Sequence, residues 1–256
     1  MPLLYFIYKL WIGLVFWVTL LLLYPFFFIL LSRQGWFGAA FRLKRFWSLL
    51  IRALIFCPMR VQYATPLPPP PYVIVSNHCS HLDTVFMYGL FSDYFIFMGK
   101  GELLKWPLFR LFFRKMDIPV MRSNHRLAYL AWQSAARAID NGSCVAIYPE
   151  ATIPVNTPHM KHFKNGAFRL AVEKNVPLVA ITWQTNFKIL SDPSRIFSHS
   201  LPHRIIAVVH SPIYASQFDG DITAVRNHTF QTIKGALTTK QENLDSRIDA
   251  QQNFEV

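Results

Sequence analysis

The chain has 256 residues, of which 52% are hydrophobic and 16% aromatic, and it carries a net charge of +12. Residues 1–82 contain no Asp or Glu, and their Lys and Arg residues are interleaved with Trp, Phe and Leu. Such interleaving is typical of a segment at an anionic bilayer surface. Because no recognisable nucleic-acid-reading module accompanies the charge, we expect no nucleic-acid partner.

The first predicted element is an apolar helix that directs the protein to a membrane. The run from Leu10 to Leu31 contains no charged residue, and it is long enough to cross a hydrocarbon core of about 30 Å. It is too long for a cleaved signal peptide. Basic residues follow it, so we expect a protein of the inner or cell membrane whose catalytic domain lies on the cytoplasmic side. Pro25 and the scattered aromatics also permit a bent helix within one leaflet, and the sequence leaves both arrangements open.

Residues 36–57 form a second predicted helix, which is basic and aromatic-rich. We expect it to lie in the membrane interface, or else to pack on the globular domain as an ordinary amphipathic helix. Residues 1–62 are therefore assigned to membrane-associated helices, and the proline-rich residues 63–71 to a stiff linker. A globular domain is expected over 72–240, followed by a polar, disordered tail over 241–256.

Beyond the linker, apolar runs alternate with helical patterns. This alternation predicts an α/β fold in which a mostly parallel central sheet is flanked by helices. The predicted strands are 72–76, 94–98, 118–121, 144–148, 177–183 and 204–210. The predicted helices lie near 83–91, 103–115, 124–140, 163–175 and 222–238. The three cysteines are far apart and odd in number, so they predict neither a zinc site nor a disulfide framework, and they indicate a reducing compartment.

His78 and Asp83 are the first candidate site residues. His78 lies in a predicted strand-to-helix turn, and Asp83 opens the helix. Across such a turn the carboxylate can reach the imidazole, fix its tautomer and leave the second ring nitrogen to take a proton from a hydroxyl. Open α/β sheets also place their sites beyond the carboxyl ends of strands, where this turn lies.

Polar residues follow other predicted strands. Glu150 and Thr152 come after the fourth apolar run, where an acidic residue could hold a turn by accepting backbone amides or could bind a substrate hydroxyl. Lys100 and Arg122 end two further strands, and cations there are natural partners for phosphate. Lys164 leads into a helix whose first turn could face an anion.

Taken in order, these residues resemble the lysophosphatidic acid acyltransferase (1-acylglycerol-3-phosphate acyltransferase) family of glycerophospholipid acyltransferases. The resemblance covers roughly residues 72–185 and consists of four blocks and an intervening run. They are Asn77-His78 with Asp83; Lys100-Gly101-Glu102-Leu103 with Pro107 and the strand from Ile118 to Arg122; Tyr148-Pro149-Glu150 with Thr152; the run Phe163-Lys164-Asn165-Gly166-Ala167; and Val176-Pro177 with the apolar residues after it.

The resemblance implies a membrane-bound enzyme that moves an acyl chain from a thioester of CoA or acyl carrier protein to a lysolipid hydroxyl. The favoured acceptor is 1-acylglycerol-3-phosphate, which would give phosphatidic acid, and no cofactor or metal is expected. His78, oriented by Asp83, would be the general base. Lys100 and Arg122 would bind phosphate groups, Glu150 would position the acceptor, and Thr152 and Lys164 would also contribute to substrate binding.

Four positions depart from the family pattern. Arg110 and Met116 stand where small residues are common in the second block, and two departures in the third block bear on the acceptor. Ala151 stands where the family has Gly, and Ile153 stands where it often has an Arg associated with the acceptor's phosphate. A lyso-aminolipid acceptor, of the ornithine- or glycine-lipid type, is therefore an alternative to the phosphate-bearing one.

Three other interpretations remain open. Cys79, adjacent to His78, could act as a covalent nucleophile. His78, His81 and Asp83 could gather around a metal in a metallohydrolase. The chain could also be a non-catalytic membrane scaffold in which the family's blocks are relics.

Overall fold

The computed structural model describes residues 1–191, 195 and 197–252, with side chains described as far as residue 237 at the C-terminal end. The strands of this part of the chain are β1 (Met59–Tyr63), β2 (Val73–Ser76), β3 (Phe95–Lys100), β4 (Ile118–Val120), β5 (Cys144–Ile147), β6 (Leu178–Trp183) and β7 (Ile205–Val209). The α-helices are α1 (Pro2–Leu30), α2 (Phe37–Leu54), α3 (Asp83–Met87), α4 (Pro107–Lys115), α5 (His125–Asp140), α6 (Gly166–Glu173), α7 (Asn186–Ile189) and α8 (Ile222–Gln252).

The strands form one sheet in the order β1-β7-β6-β2-β5-β3-β4. Every neighbouring pair is parallel except β6 and β7, which run antiparallel. The central strands β2, β5 and β6 are short, apolar and almost entirely buried, as is typical of parallel strands covered by helices on both faces. The predicted α/β fold with a mostly parallel sheet is therefore confirmed, and its six predicted strands are all present.

The sequence missed β1. Its residues alternate between apolar and polar types, and only Met59 and Val61 are partly buried, as suits an edge strand that pairs on one side with β7. The sheet therefore begins before the proline-rich segment, which corrects the expected domain boundary at 63–71. Because β7 and β6 lie between β1 and β2, this segment crosses three inter-strand spacings, or about 14 Å.

α1 lies along the rest of the protein. The Tyr8 hydroxyl donates to the carbonyl oxygen of Ile55 at 2.8 Å, and the Trp47 indole of α2 donates to the Thr19 hydroxyl at 2.8 Å. Near its C-terminal end, α1 packs aromatic side chains against α4. Within the described residues, α1 is the one helix long and apolar enough to cross a membrane. The large apolar side chains that it exposes include Leu3, Leu10, Leu14, Leu21, Leu22, Phe26 and Phe28.

α2 packs one face on the sheet domain and leaves the other face exposed. Phe41 contacts Phe95 of β3 with ring centres 5.1 Å apart, and Lys44 points inward. Arg45 and Phe46 lie on the exposed face. The buried face of α2 packs on the globular domain, as the amphipathic-helix alternative predicts. The exposed face is basic and aromatic, as the interfacial alternative predicts.

The C-terminal segment departs from the expected disordered tail. The backbone of α8 continues as a helix to Gln252, and residues 253–256 lie outside the described part of the chain. Residues 241–252 contain neither Gly nor Pro, and seven of the twelve are Gln, Glu, Leu, Arg or Ala, which are good helix formers. The disorder prediction depended on their polar character, which concerns burial rather than backbone conformation.

Candidate active site

Four neighbouring strands place their carboxyl ends at one edge of the sheet. In spatial order these are β2, β5, β3 and β4, and the residues at or just beyond their ends include His78, Tyr148, Lys100 and Arg122. All four side chains line one cavity of about 830 Å³. The sequence-based placement of the site beyond the carboxyl ends of the strands agrees with this cavity.

His78 and Asp83 form a hydrogen-bonded pair at the wall of this cavity. His78 Nδ1 lies 2.9 Å from Asp83 Oδ2. The His78 side chain is 16% exposed, whereas Asp83 is fully buried behind it. A carboxylate in this position accepts a hydrogen bond from Nδ1–H and holds the ring in the tautomer whose Nε2 is unprotonated.

The Asp83 carboxylate is itself held by three further donors. The backbone N–H groups of Cys79 and Ser80 donate to Oδ2 at 2.7 and 2.9 Å, so the turn wraps around the carboxylate. Asn186, buried in α7, donates from its side-chain amide to Oδ1 at 2.8 Å. Sequence reasoning missed Asn186, because it lies outside the four blocks and no local pattern links it to Asp83.

Tyr148 fixes the face of the imidazole. Its ring stacks on His78 with the centres 4.1 Å apart and the planes 18° from parallel. Tyr148 also stacks on Phe97, with the ring centres 6.0 Å apart. The His78 ring is therefore constrained both at its edge, by Asp83, and on its face, by an aromatic side chain.

Glu150 lies behind the cavity wall. It is 4% exposed, and its two carboxylate oxygens accept from the backbone N–H groups of His78 at 2.8 Å and Lys161 at 2.7 Å. Burial raises the pKa of this carboxyl group, and the two backbone hydrogen bonds oppose that rise. The geometry favours the first of the two roles inferred from sequence, in which Glu150 holds two loops together.

The cavity wall carries several cations. Lys100 and Arg122 line it as predicted, and so does Thr152, whose hydroxyl accepts from Lys161 Nζ at 2.9 Å. Lys164 is not among the residues that line the cavity. Its side chain is exposed, and its backbone N–H donates to the carbonyl oxygen of Pro149 at 3.0 Å. The residues missed from sequence are Lys188 and Arg195, which lie beyond the four blocks. Among the described residues that line this cavity there is no Asp or Glu.

Ala151 adopts a backbone conformation that favours glycine. Its φ angle is 65°, and its carbonyl oxygen accepts from the Arg122 guanidinium. The family's Gly at this position suits the left-handed conformation, whereas a Cβ there costs about 1–2 kcal/mol. Ala151 therefore places backbone strain in the loop that carries Thr152.

Ala151→Gly is expected to stabilise the protein by about 0.5–1 kcal/mol, because relief of the strain exceeds the extra entropy of glycine in the unfolded chain. A thermal unfolding scan should show a midpoint higher by about 1–4 °C. The matched control is Gly142→Ala, at a φ of 81° with no atom near the added Cβ, which should lower the midpoint. An unchanged or lower midpoint for Ala151→Gly would contradict the strain.

A second cavity adjoins the first and is mostly apolar. It measures about 570 Å³ and lies among α1, α2, α3 and α4. Six residues line both cavities: His81, Thr84, Phe97, Leu103, Phe113 and Leu190. We name this second cavity the apolar chamber. The apolar chamber therefore adjoins the cavity whose wall contains the His78 imidazole.

Two of the alternative chemistries lack support in this geometry. Cys79 is 3% exposed, and burial raises the pKa of its thiol well above the usual range, which disfavours the thiolate that a nucleophile needs. His78, His81 and Asp83 do not converge as ligands. Throughout the described part of the chain, no group of three His, Cys, Asp or Glu side chains is arranged to hold a metal ion.

The chain resembles known acyltransferases in sequence. Residues 58–184, about half of the chain, match the Acyltransferase family model. A chloroplastic 1-acyl-sn-glycerol-3-phosphate acyltransferase of Brassica napus is 30% identical over 151 residues, which cover 58% of this chain and 42% of that protein. The human 1-acyl-sn-glycerol-3-phosphate acyltransferase beta is 31% identical over 171 residues, which cover 66% and 58%. The chain thus spans about two fifths to three fifths of these relatives.

A solved structure shows the same fold over nearly the whole chain. The crystal structure of the 1-acyl-sn-glycerophosphate acyltransferase from Thermotoga maritima superposes with a TM-score of 0.77 and 17% identity. The superposition covers 94% of this chain and 98% of that one. The fold, the matched segment and the relatives agree, and this chain belongs to the acyltransferase family.

Proposed function

We propose that this protein transfers an acyl group from an acyl thioester to the hydroxyl of 1-acylglycerol-3-phosphate, giving phosphatidic acid. The observation that carries the proposal is the His78–Asp83 pair, 2.9 Å apart, in the wall of a cationic cavity that adjoins an apolar chamber. The names of the relatives support the same reaction class.

In the proposed reaction, Asp83 accepts a hydrogen bond from the Nδ1–H of His78, which keeps Nε2 unprotonated and free to take a proton from the acceptor hydroxyl. The hydroxyl oxygen attacks the thioester carbonyl carbon as its proton passes to Nε2. The resulting tetrahedral intermediate collapses, the carbon–sulfur bond breaks, and the leaving thiolate takes up the proton held on Nε2, which restores the neutral imidazole. A thioester is already activated, so no covalent enzyme intermediate is needed.

The apolar chamber is suited to the acyl chain of the donor. Its junction with the first cavity would place the thioester carbonyl beside His78 while the chain extends among α1, α2 and α4. Burial of each methylene group is worth about 0.8 kcal/mol, so a long chain gains substantial affinity there. The chamber makes no distinction between CoA and acyl carrier protein, and both remain candidate carriers.

The charge of the first cavity supports a phosphate-bearing acceptor. Lys100, Arg122, Lys188 and Arg195 line it, and no acidic residue does so within the described chain. Four cations suit an anionic headgroup better than an aminolipid with its own positive charge. Ile153, which also lines the cavity, is the observation that keeps the lyso-aminolipid acceptor as the second candidate.

We further propose that α1 anchors the protein in one leaflet of the membrane. Its contacts with α2 and α4 extend along most of its length, so a helix perpendicular to the bilayer would draw the sheet domain into the hydrocarbon. The exposed Leu and Phe side chains of α1, beside the basic face of α2, suit a helix at the interface. The catalytic domain is expected on the cytoplasmic side.

The test is acyl transfer by membranes that contain the protein, with labelled acyl-CoA or acyl carrier protein and a panel of lysolipids. We expect 1-acylglycerol-3-phosphate to be consumed. Lys100→Met should raise its KM by about tenfold or more, because a charge-assisted hydrogen bond is worth about 1.5–3 kcal/mol, whereas Lys100→Arg should not. Consumption of a lyso-aminolipid instead would overturn the acceptor, and no transfer to any lysolipid would overturn the reaction.

A further inference from the structure

The turn that follows β5 is held between two cations. The Ala151 carbonyl oxygen accepts from the guanidinium group of Arg122, which lies just beyond the end of β4. The Thr152 hydroxyl accepts from Lys161 Nζ at 2.9 Å. Arg122, Ala151 and Thr152 line the first cavity, whereas Lys161 is not among the residues that line it. Any effect of Lys161 on a substrate in this cavity therefore passes through Thr152.

The backbone of Lys161 is attached to the same carboxylate as the backbone of His78. Glu150 accepts from the N–H of His78 through Oε1 at 2.8 Å and from the N–H of Lys161 through Oε2 at 2.7 Å. A further link joins the same segments, because the N–H of Lys164 donates to the Pro149 carbonyl oxygen at 3.0 Å. Lys161 is thus fixed relative to the proposed base through one buried side chain.

Hydrogen-bond chemistry determines what the Thr152 hydroxyl can do. An ammonium group can only donate, so Thr152 is the acceptor in its contact with Lys161, and its own hydrogen is left for another acceptor. Hydrogen bonds in series polarise one another, so a hydroxyl that accepts from a cation is a stronger donor. Since no Asp or Glu lines the cavity within the described chain, an anionic oxygen of a substrate suits this donor.

The charge of Lys161 is close enough to act on such an oxygen. Lys161 is exposed, and none of the ion pairs among the described residues includes it. An oxygen bound by the Thr152 hydroxyl would lie within about 6 Å of Lys161 Nζ, because two consecutive hydrogen bonds of about 3 Å would join them. Attraction over that distance strengthens the contact, although solvent partly screens it.

We propose that Lys161 is a positioning residue for the anionic headgroup of the acceptor. Its ammonium group orients the Thr152 hydroxyl so that it donates into the first cavity, and it adds a positive charge behind that hydroxyl. The ligand class is a phosphate monoester, as in 1-acylglycerol-3-phosphate. This inference rests on the proposed function for the identity of the acceptor, and on the contacts of Lys161 with Thr152 and Glu150 for its geometry.

The first test measures KM and kcat of the full-length protein for 1-acylglycerol-3-phosphate. Lys161→Met should raise KM by about five- to tenfold, because a charge-assisted hydrogen bond is lost, and should leave kcat within about twofold. Lys161→Arg keeps the charge and a donor, so its KM should stay within about twofold of the native value. An unchanged KM in Lys161→Met, or an equal rise in Lys161→Arg, would overturn the inference.

Lys174→Met is the matched control for the loss of one positive charge. Lys174 forms an ion pair with Asp140 and lies outside both cavities. Its replacement should leave the KM for 1-acylglycerol-3-phosphate unchanged. A rise in KM equal to that of Lys161→Met would assign the effect to the net charge of the protein and would overturn the positioning role.

A double-mutant cycle tests whether Lys161 acts through Thr152. Thr152→Val removes the hydroxyl at similar volume and should raise KM by about tenfold. In that background Lys161→Met should raise KM by at most about twofold, because the hydroxyl that it orients is already absent. If Lys161→Met raises KM by the same factor in the native and Thr152→Val backgrounds, the two residues act independently and the inference is wrong.

Binding separates this inference from the proposed reaction. The probe is 1-acyl-2-deoxyglycerol-3-phosphate, in which hydrogen replaces the attacking hydroxyl. Its Kd should rise in Lys161→Met by the same factor as KM. That rise in a protein that transfers no acyl group would refute the reaction and keep the positioning role. Acyl transfer with an unchanged Kd and KM in Lys161→Met would refute the positioning role and keep the reaction.

Discussion

Replacement of His78 by Ala is expected to lower kcat for acyl transfer by about 10²- to 10⁴-fold, the usual contribution of a positioned general base. The imidazole lies in the wall of the first cavity with its Nδ1 bound to Asp83, so its loss removes the group proposed to take the acceptor proton. The KM values should change little, because the cations and the apolar chamber stay in place. Initial rates with saturating donor and acceptor measure the effect.

His125→Ala is the matched control, because His125 is exposed at the start of α5, outside both cavities. It should retain the native kcat. The thermal midpoint of His78→Ala should stay close to that of the native protein, since Asp83 keeps its three other donors. A His78→Ala variant that is folded and transfers acyl groups at a near-native rate would refute the proposed base.

Asp83→Asn is expected to lower kcat by a similar factor and to destabilise the fold as well. An amide at this position can donate to Nδ1, which would move the ring proton to Nε2 and leave no basic nitrogen facing the acceptor. An amide NH₂ group in place of Oδ2 could not accept the hydrogen bonds that the backbone N–H groups of Cys79 and Ser80 donate there. We expect a loss of about 1–3 kcal/mol in the free energy of unfolding.

The comparison is Asn186→Leu, which removes only the donor to Asp83 Oδ1 and leaves the His78 contact intact. Its kcat should fall less than that of Asp83→Asn, and its pH–rate profile should shift because the carboxylate loses a stabilising hydrogen bond. Asp83→Asn is measured by initial rates and by thermal unfolding. If it keeps the native kcat, Asp83 does not control the tautomer of His78.

The sequence predicts what depends on local pattern. The buried strands β2, β5 and β6 are continuous apolar runs, and the His78–Asp83 pair is confined to one turn, so both could be found from residue type and spacing alone. The cations at the ends of β3 and β4 follow from the rule that parallel strands share a carboxyl edge.

The site residues that the sequence could not predict are those placed by tertiary contacts. Asn186 reaches Asp83 across 103 positions, and Lys188 and Arg195 join the cavity from a segment outside the family blocks. Lys44 looks from sequence like one more interfacial cation on a basic helix, and only the packing of α2 shows that it points inward to Asp117. The residue pattern of one amphipathic helix does not specify which neighbouring element packs against its buried face.

α1 has a consequence for how substrate arrives. Its residues from Phe6 to Phe16 form one wall of the apolar chamber, while other side chains of the same helix are exposed. In the proposed arrangement, bilayer and chamber are therefore separated by the thickness of one helix. A protein shortened by its first 30 residues would lose that wall together with its anchor. Sideways entry between α1 and its neighbours would let an acyl chain leave one hydrocarbon environment and enter another with little contact with water.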